Sequence, residues 1–252
     1  MKQLESLEQT RRYSRHIMLP AMDLAGQERL LNSRLLIVGM GGLGCAAAPY
    51  LASSGVGTLT LVDGDSIDVT NLQRQILYTE TDIGENKAII ASERLRLLEP
   101  SCDIRTFPSF VSEQELAGLV SSHDLVLDCT DNLPTRLAIN DVCVEYKIPL
   151  VSASAIRFEG QICCFENLGS GPCYRCVSHM FGEQNLNCLE AGIFAPVVGV
   201  IGTSQACLAL QILAKVGDVP WHQLRLFDGL HHDWQTFKIP VNIGCKCNHV
   251  PC

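Results

Sequence analysis

The sequence of 252 residues lacks any excess of positive charge: 19 Lys and Arg stand against 27 Asp and Glu, a net charge of −8. So acidic a chain is poorly suited to nucleic acid or an anionic lipid surface as its main partner. The opening MKQLESLEQTRRYSRHIMLP has no apolar core, so no secretory signal is expected. There is no glycine period and no heptad array, which excludes the fibrous classes. Charged residues make up only 18% against 47% apolar, too hydrophobic a balance for a disordered chain. The most apolar stretch, Ile193 to Leu213, is interrupted by Pro196, Gly199, Thr203, Gln205 and Gln211. It reads as a buried helix rather than a membrane span. A cytoplasmic protein with neither membrane nor nucleic acid as partner is expected, of a length that suits one large domain or two small ones.

What is abundant is cysteine. Thirteen is an odd number in a large chain without a signal, so reduced thiols are expected. Cys45, Cys102, Cys129, Cys143, Cys163, Cys164 and Cys207 lie in or beside apolar runs and read as small buried hydrophobes. Cys173, Cys176, Cys188, Cys245, Cys247 and Cys252 lie in polar, turn-rich context.

Residues 1–34 read as an amphipathic helical lead-in with a basic cluster at Arg11, Arg12 and Arg15. Short apolar runs then alternate with helical patterns. Strands are predicted at Arg34–Gly39, Thr58–Asp63, Asp103–Phe107, Asp124–Cys129 and Pro149–Ala153, with helices at Cys45–Ala52, Lys87–Leu98 and Pro134–Tyr146. That alternation means βαβ units and a parallel sheet. Beyond residue 154 the pattern turns to strands at Gly160–Phe165, Leu224–Asp228 and Trp234–Val241, an antiparallel portion. The fold class expected is α/β: a Rossmann-like, doubly wound, mostly parallel sheet extended by antiparallel strands. Residues 166–192, rich in Gly, Asn and Cys, read as a long irregular and functional loop.

Gly39-Met-Gly41-Gly42-Leu-Gly44 fits G-x-G-x-x-G between a strand and a helix. Glycines there let backbone N–H groups approach phosphate at a helix N-terminus. Asp63 follows 19 residues beyond Gly44 at the end of the next strand, where an acidic side chain meets ribose hydroxyls. Charge then discriminates between nucleotides. Arg74 and Lys87 suit a triphosphate, and Asp131, after the fourth strand, suits Mg²⁺ or a plain helix cap. Together these favour ATP over NAD.

Cys173-Tyr-Arg-Cys176 is C-x-x-C, and Cys245-Lys-Cys247 lies 69 residues beyond Cys176. Two such pairs in turn regions suggest a closed structural Zn²⁺ site. A redox motif is the rival reading, and it requires C-x-x-C after a strand and at a helix start.

At this point the chain resembles a known family. GMGGLG, Asp63, TNLQRQ, Lys87 and DCTDN are similar to the motifs of the ubiquitin-activating-enzyme-like adenylyltransferases, the MoeB/ThiF/HesA family. PCYRC followed by MFGEQNLNCLEAGIFAPVVGVIG, with VSASAIRFEGQI before it, resembles the MoeB branch. The likeness runs from Arg12 to Cys247, which implies a single domain over 1–252: lead-in 1–34, nucleotide part 35–153, carrier and zinc part 154–252. It implies a homodimer that adenylates the C-terminal Gly-Gly carboxylate of a small ubiquitin-like sulfur carrier and releases pyrophosphate. The carrier would be of MoaD type in molybdenum-cofactor biosynthesis, or of ThiS type in thiamine biosynthesis, with a sulfurtransferase as a possible further partner. Carried over residue by residue, Gly39, Gly41, Gly42 and Gly44 approach phosphates and Asp63 binds ribose. Asn71, Arg74 and Lys87 bind the nucleotide. Asp131 holds Mg²⁺ with Asn132 beside it, and Arg15 reaches the neighbouring subunit's phosphates. Cys188 matches a cysteine that some relatives link covalently to their carrier. Cys173, Cys176 and Cys245 match zinc positions. Asn248 stands where the second C-x-x-C would end, which leaves Cys247, favoured, or Cys252 as fourth ligand.

Two other functions compete. An NAD-dependent oxidoreductase would use the same glycine fingerprint, but no His or Tyr-x-x-x-Lys acid/base candidate appears at a strand end. A non-catalytic scaffold for a ubiquitin-like protein would suit degraded nucleotide residues, and Asp63, Arg74, Lys87 and Asp131 are all present.

Overall fold

A computed structural model describes residues 3–4, 6–169, 171–181, 191–242 and 244–247. Eight strands form one sheet in the order β3-β2-β1-β4-β5-β6-β7-β8. The strands are β1 (Arg34–Val38), β2 (Thr58–Val62), β3 (Asp103–Phe107), β4 (Leu125–Asp128), β5 (Leu150–Ile156), β6 (Glu159–Phe165), β7 (Gln223–Asp228) and β8 (Asp233–Lys238). The first five pair in parallel, and β5 to β8 pair as antiparallel neighbours. This is the mixed sheet that the change of pattern after residue 154 predicts.

β1 is buried along four of its five residues because both faces are covered. Leu35 and Ile37 point to one core, and Leu36 and Val38 to the other. On the first face pack α3 (Asp23–Leu31), α4 (Gly42–Ser53), α5 (Lys87–Leu98) and the long α9 (Ala195–Ala214). On the second lie α6 (Glu113–Ser121), α7 (Leu133–Tyr146) and α8 (Tyr174–Phe181). Two short helices, α1 (Leu7–Arg12) and α2 (Ser14–Ile17), form the lead-in. Among the described residues α9 is the one helix long and apolar enough to cross a membrane, and its strongest packing is against α4 in the core.

Two expectations differ from the structure, and one helix falls where none is expected. The segment 166–192 is not irregular throughout: Tyr174–Phe181 is helical. Its inward face, with Tyr174 and Val177 buried, was obscured by the Cys-rich composition around it. Helix α6 is the unexpected element, and Ser112 and Glu115 form a reciprocal capping box at its start. Cys207, expected in the core, is exposed on α9, while Cys45, Cys102, Cys129, Cys143, Cys163 and Cys164 are buried free thiols. Burial pushes the Cys45 thiol up to about 12, so it is an inert packing group.

Candidate active site

In the sheet order, β1 lies between β2 and β4, so the chain winds outward in both directions from it. Ligands bind at such a switch point, beyond the carboxyl ends of the strands. A cleft of about 770 Å³ opens there. Gly39, Gly41, Gly42, Asp63, Asn71, Arg74, Lys87, Asp131 and Asn132 all line it, gathered from five separate stretches of chain.

The glycine turn is shaped by close approach. Gly39 has φ +97°, and a Cβ there would meet the Cys129 carbonyl at 2.7 Å. Gly44 does not line the cleft. A Cβ on it would stand 2.2 Å from the Gly39 carbonyl, so its missing side chain serves the packing of α4 against the turn.

Asp63 anchors this turn. One carboxylate oxygen accepts the Met40 N–H at 2.7 Å and the other accepts the Asp65 N–H at 2.8 Å. Burial raises its pKa from the ordinary carboxylate value, against these donors and nearby Lys87. Lys87 is buried at the first position of α5, and its Nζ pairs with Asp65 at 2.8 Å. Arg74 donates to the Thr70 carbonyl at 2.9 Å. Tyr78, in no motif, is buried beneath the turn: its hydroxyl shares one proton between the carbonyls of Met40, at 2.7 Å, and Lys87, at 3.1 Å. Sequence reasoning missed Asp65 and Tyr78. The DGD spacing after β2 was a signal for the first, and nothing local marks the second.

Asp131 is exposed at the cleft, and the helix-cap reading of it does not hold. Asn132 caps α7 by accepting the Thr135 N–H at 3.0 Å, which leaves the Asp131 carboxylate to the cleft. The loop before it is fixed from below. Fully buried Asp128 accepts from Thr130 N at 3.0 Å and from the Thr130 and Ser152 hydroxyls at 2.6 Å. Arg136, buried and cleft-lining, donates to the Thr130 carbonyl. Arg15 lies exposed on α2 and does not line this cleft.

The residues fit a nucleotide on an observation of burial as well as of motif. Gln75 is 3% exposed and lines the cleft, and among the described residues its Oε1 has no hydrogen-bond partner. A buried amide oxygen without a partner is costly unless a ligand supplies one.

The second cluster lies under the opposite face. The sulfurs of Cys173, Cys245 and Cys247 lie within 4.8 Å of one another, and Cys173 and Cys245 are 3.7 Å apart. Ligands about 2.3 Å from a tetrahedral Zn²⁺ stand about 3.8 Å from one another, so the trio fits that ion. Cys176, also buried, is outside the trio, and its sulfur accepts the Asn242 N–H at 3.5 Å. Asn140, with no exposure, donates to Cys173 at 3.7 Å and Cys247 at 3.6 Å. Asp141 beside it carries Arg175 at 2.5 Å and Lys246 at 3.1 Å. These bonds outweigh the effect of its burial and hold its carboxyl down to about 2. C-x-x-C does sit at the start of α8, as a redox motif would. Burial and the neighbouring thiols push Cys173 upward, however, the reverse of a reactive thiolate. Cys188 and Cys252 lie outside the described residues.

Switch-point cleft, glycine turn and acidic strand end together define a nucleotide-binding protein of the doubly wound α/β class. Within that class, the family model of the ThiF family matches residues 13–248, and the chain belongs to that family. It is 46% identical over 235 residues to molybdopterin-synthase adenylyltransferase of Escherichia coli (strain K12), covering 93% of this chain and 94% of that one. It is 43% identical over 234 residues to the sulfur carrier protein ThiS adenylyltransferase of the same organism, covering 93% of each. The crystal structure of E. coli MccB with ATP shares the fold, with a TM-score of 0.81 at 22% identity, over 94% of this chain and 73% of that one.

Proposed function

We propose that this protein adenylates the C-terminal carboxylate of a small ubiquitin-like sulfur carrier of MoaD type, in molybdenum-cofactor biosynthesis. What supports the reading is the convergence on one cleft of the glycine turn, Asp63, Asn71, Arg74, Lys87 and Asp131, in a chain of the ThiF family. A carboxylate oxygen of the carrier attacks the α-phosphorus of ATP. The bond from that phosphorus to the α,β-bridging oxygen breaks, and pyrophosphate leaves with the electron pair. The attacking carboxylate is ionised at neutral pH, so the chain need supply no general base. Its task is positioning and charge neutralisation.

In this reading Asp63 accepts the ribose, and Asn71, Arg74 and Lys87 hold the nucleotide, Lys87 exchanging Asp65 for phosphate. Mg²⁺ would sit at Asp131 and neutralise phosphate charge. The Cys173, Cys176, Cys245 and Cys247 thiols would hold Zn²⁺ and tie the start of α8 to the C-terminal segment. The protein acts in the cytoplasm as a single-domain homodimer, with Arg15 entering the partner's cleft and Cys188 an optional nucleophile. The test is exchange of labelled pyrophosphate into ATP, expected only when the Gly-Gly carrier is present. Tight NAD binding without carrier-dependent exchange would refute the reading. A ThiS-type carrier is the second reading, favoured by the 43% identity to a ThiS adenylyltransferase, and assaying the two carriers side by side decides it.

A further inference from the structure

Gln75 has no role in the reading above, yet it is the cleft-lining side chain with an unmet hydrogen-bonding need. It is 3% exposed, and Oε1 finds no partner among the described residues. The orphan atom is an acceptor, which narrows what it can meet. Phosphate oxygens at neutral pH also only accept, so the triphosphate cannot satisfy it. The donors on ATP are the ribose hydroxyls and the amino group of the base. Gln75 lies beside the glycine turn, its Nε2 being 3.7 Å from where a Gly41 Cβ would stand. The preceding residue, Met40, is the one whose N–H is bonded to Asp63. The amide thus stands beside the turn that Asp63 holds, and in the nucleotide reading Asp63 takes the ribose.

We propose that Gln75 is a specificity residue for the sugar of the nucleotide: its Oε1 accepts a hydrogen bond from a ribose hydroxyl. The inference rests on the nucleotide reading of the cleft. With Asp63 it gives the ribose two acceptors from different segments. Asp63 already accepts two backbone N–H groups, so a sugar that lacks the matching hydroxyl is rejected through Gln75, whose buried acceptor is then left unpaired. The backbone of Gln75 is itself fixed, donating to Asn71 at 3.0 Å and accepting from Tyr78 at 3.1 Å, so the side chain springs from an anchored point.

The experiment measures binding of MgATP, Mg-2′-deoxyATP and Mg-3′-deoxyATP by calorimetry, to wild type, Gln75→Met and Gln75→Glu. Wild type is expected to bind MgATP about tenfold more tightly than at least one deoxy analogue, the size of one well-placed hydrogen bond. Gln75→Met should lose most of that preference, binding ATP about tenfold more weakly and the discriminated analogue within twofold of wild type. Gln75→Glu keeps an acceptor and should keep the preference. Equal weakening of all three ligands in Gln75→Met would overturn the inference, as would unchanged ATP binding. So would loss of all binding in Gln75→Glu together with an intact preference in Gln75→Met, which would put the amide nitrogen against phosphate. If Gln75→Met does not fold, wild type still decides: equal affinity for ATP and both analogues overturns the proposal. Wild type that binds no MgATP at all would instead remove the nucleotide reading on which it stands.

Discussion

The backbone of Met40 is held on both sides of its Cα: its N–H donates to Asp63 at 2.7 Å, and its carbonyl accepts from Tyr78 at 2.7 Å. The glycine turn is therefore fixed before any phosphate arrives. The same phenol reaches the Lys87 carbonyl, so the turn and the first residue of α5 share one donor. Tyr78→Phe leaves two carbonyls short of that proton and is expected to cost about 1–3 kcal/mol in urea unfolding. MgATP binding should weaken with it. Wild-type stability and affinity in the variant would show the clamp to be idle.

Asp131 and Asn132 make opposite predictions although adjacent. Asp131→Ala should lose adenylation by orders of magnitude while melting close to wild type, since it caps nothing. Asn132→Ala should cost about 1 kcal/mol of stability through the lost cap. Near-normal turnover in Asp131→Ala would contradict the magnesium assignment.

Arg15 lies outside its own chain's cleft, and the proposed function has it act across a dimer. Arg15→Ala and Asp131→Ala are each expected to be inactive alone. Mixed, they form heterodimers with one doubly defective and one intact site, so activity should partly return. Failure to recover, with subunit exchange confirmed by mass, would place Arg15 outside any site.

The thiol trio predicts metal content. One zinc per chain is expected, lost in Cys247→Ser and kept in Cys252→Ser, with earlier melting of the first because metal binding contributes directly to folding. Elemental analysis decides it. Zinc retained without Cys247 but lost without Cys252 would reverse the ligand assignment.

His123 gives a pH dependence. Its Nδ1 lies 2.6 Å from the Leu119 carbonyl, so that nitrogen carries the proton, and Nε2 accepts from the Thr60 hydroxyl at 2.7 Å. Burial lowers its pKa below the ordinary value of about 6.5. As pH falls through about 6.5 the unfolded chain takes up a proton that the folded one resists, so stability falls with pH there. Melting between pH 8 and pH 5 should drop more steeply for wild type than for His123→Gln. Parallel curves would sink the assignment. Every other titrating group is common to both proteins.

The centre of the sheet was legible because β1, β2 and β4 are short, buried, mostly apolar runs. Asp103–Phe107 and Lys87–Leu98 fall where the pattern predicts them. Helix α6 was lost in a polar stretch whose capping box was the available clue. In the cleft, charged residues beside glycines were readable because their chemistry is written in their type. Tyr78 was not, because its value lies in reaching two backbone carbonyls, a relation that no linear pattern encodes. Gln75 stood inside a recognised motif, yet only burial shows that its oxygen is unpaired.

Helix α7 has Asn132 at its head, next to Asp131, and Asn140 eight residues on, gripping two of the thiols. At about 1.5 Å per residue this is a rod of roughly 12 Å with a fixed rotational phase. One inserted residue between them would turn Asn140 by about 100° away from the sulfurs while sparing the helix itself. The stretch 132–140 should thus be strictly length-locked, tolerating substitution but not a change in the number of residues.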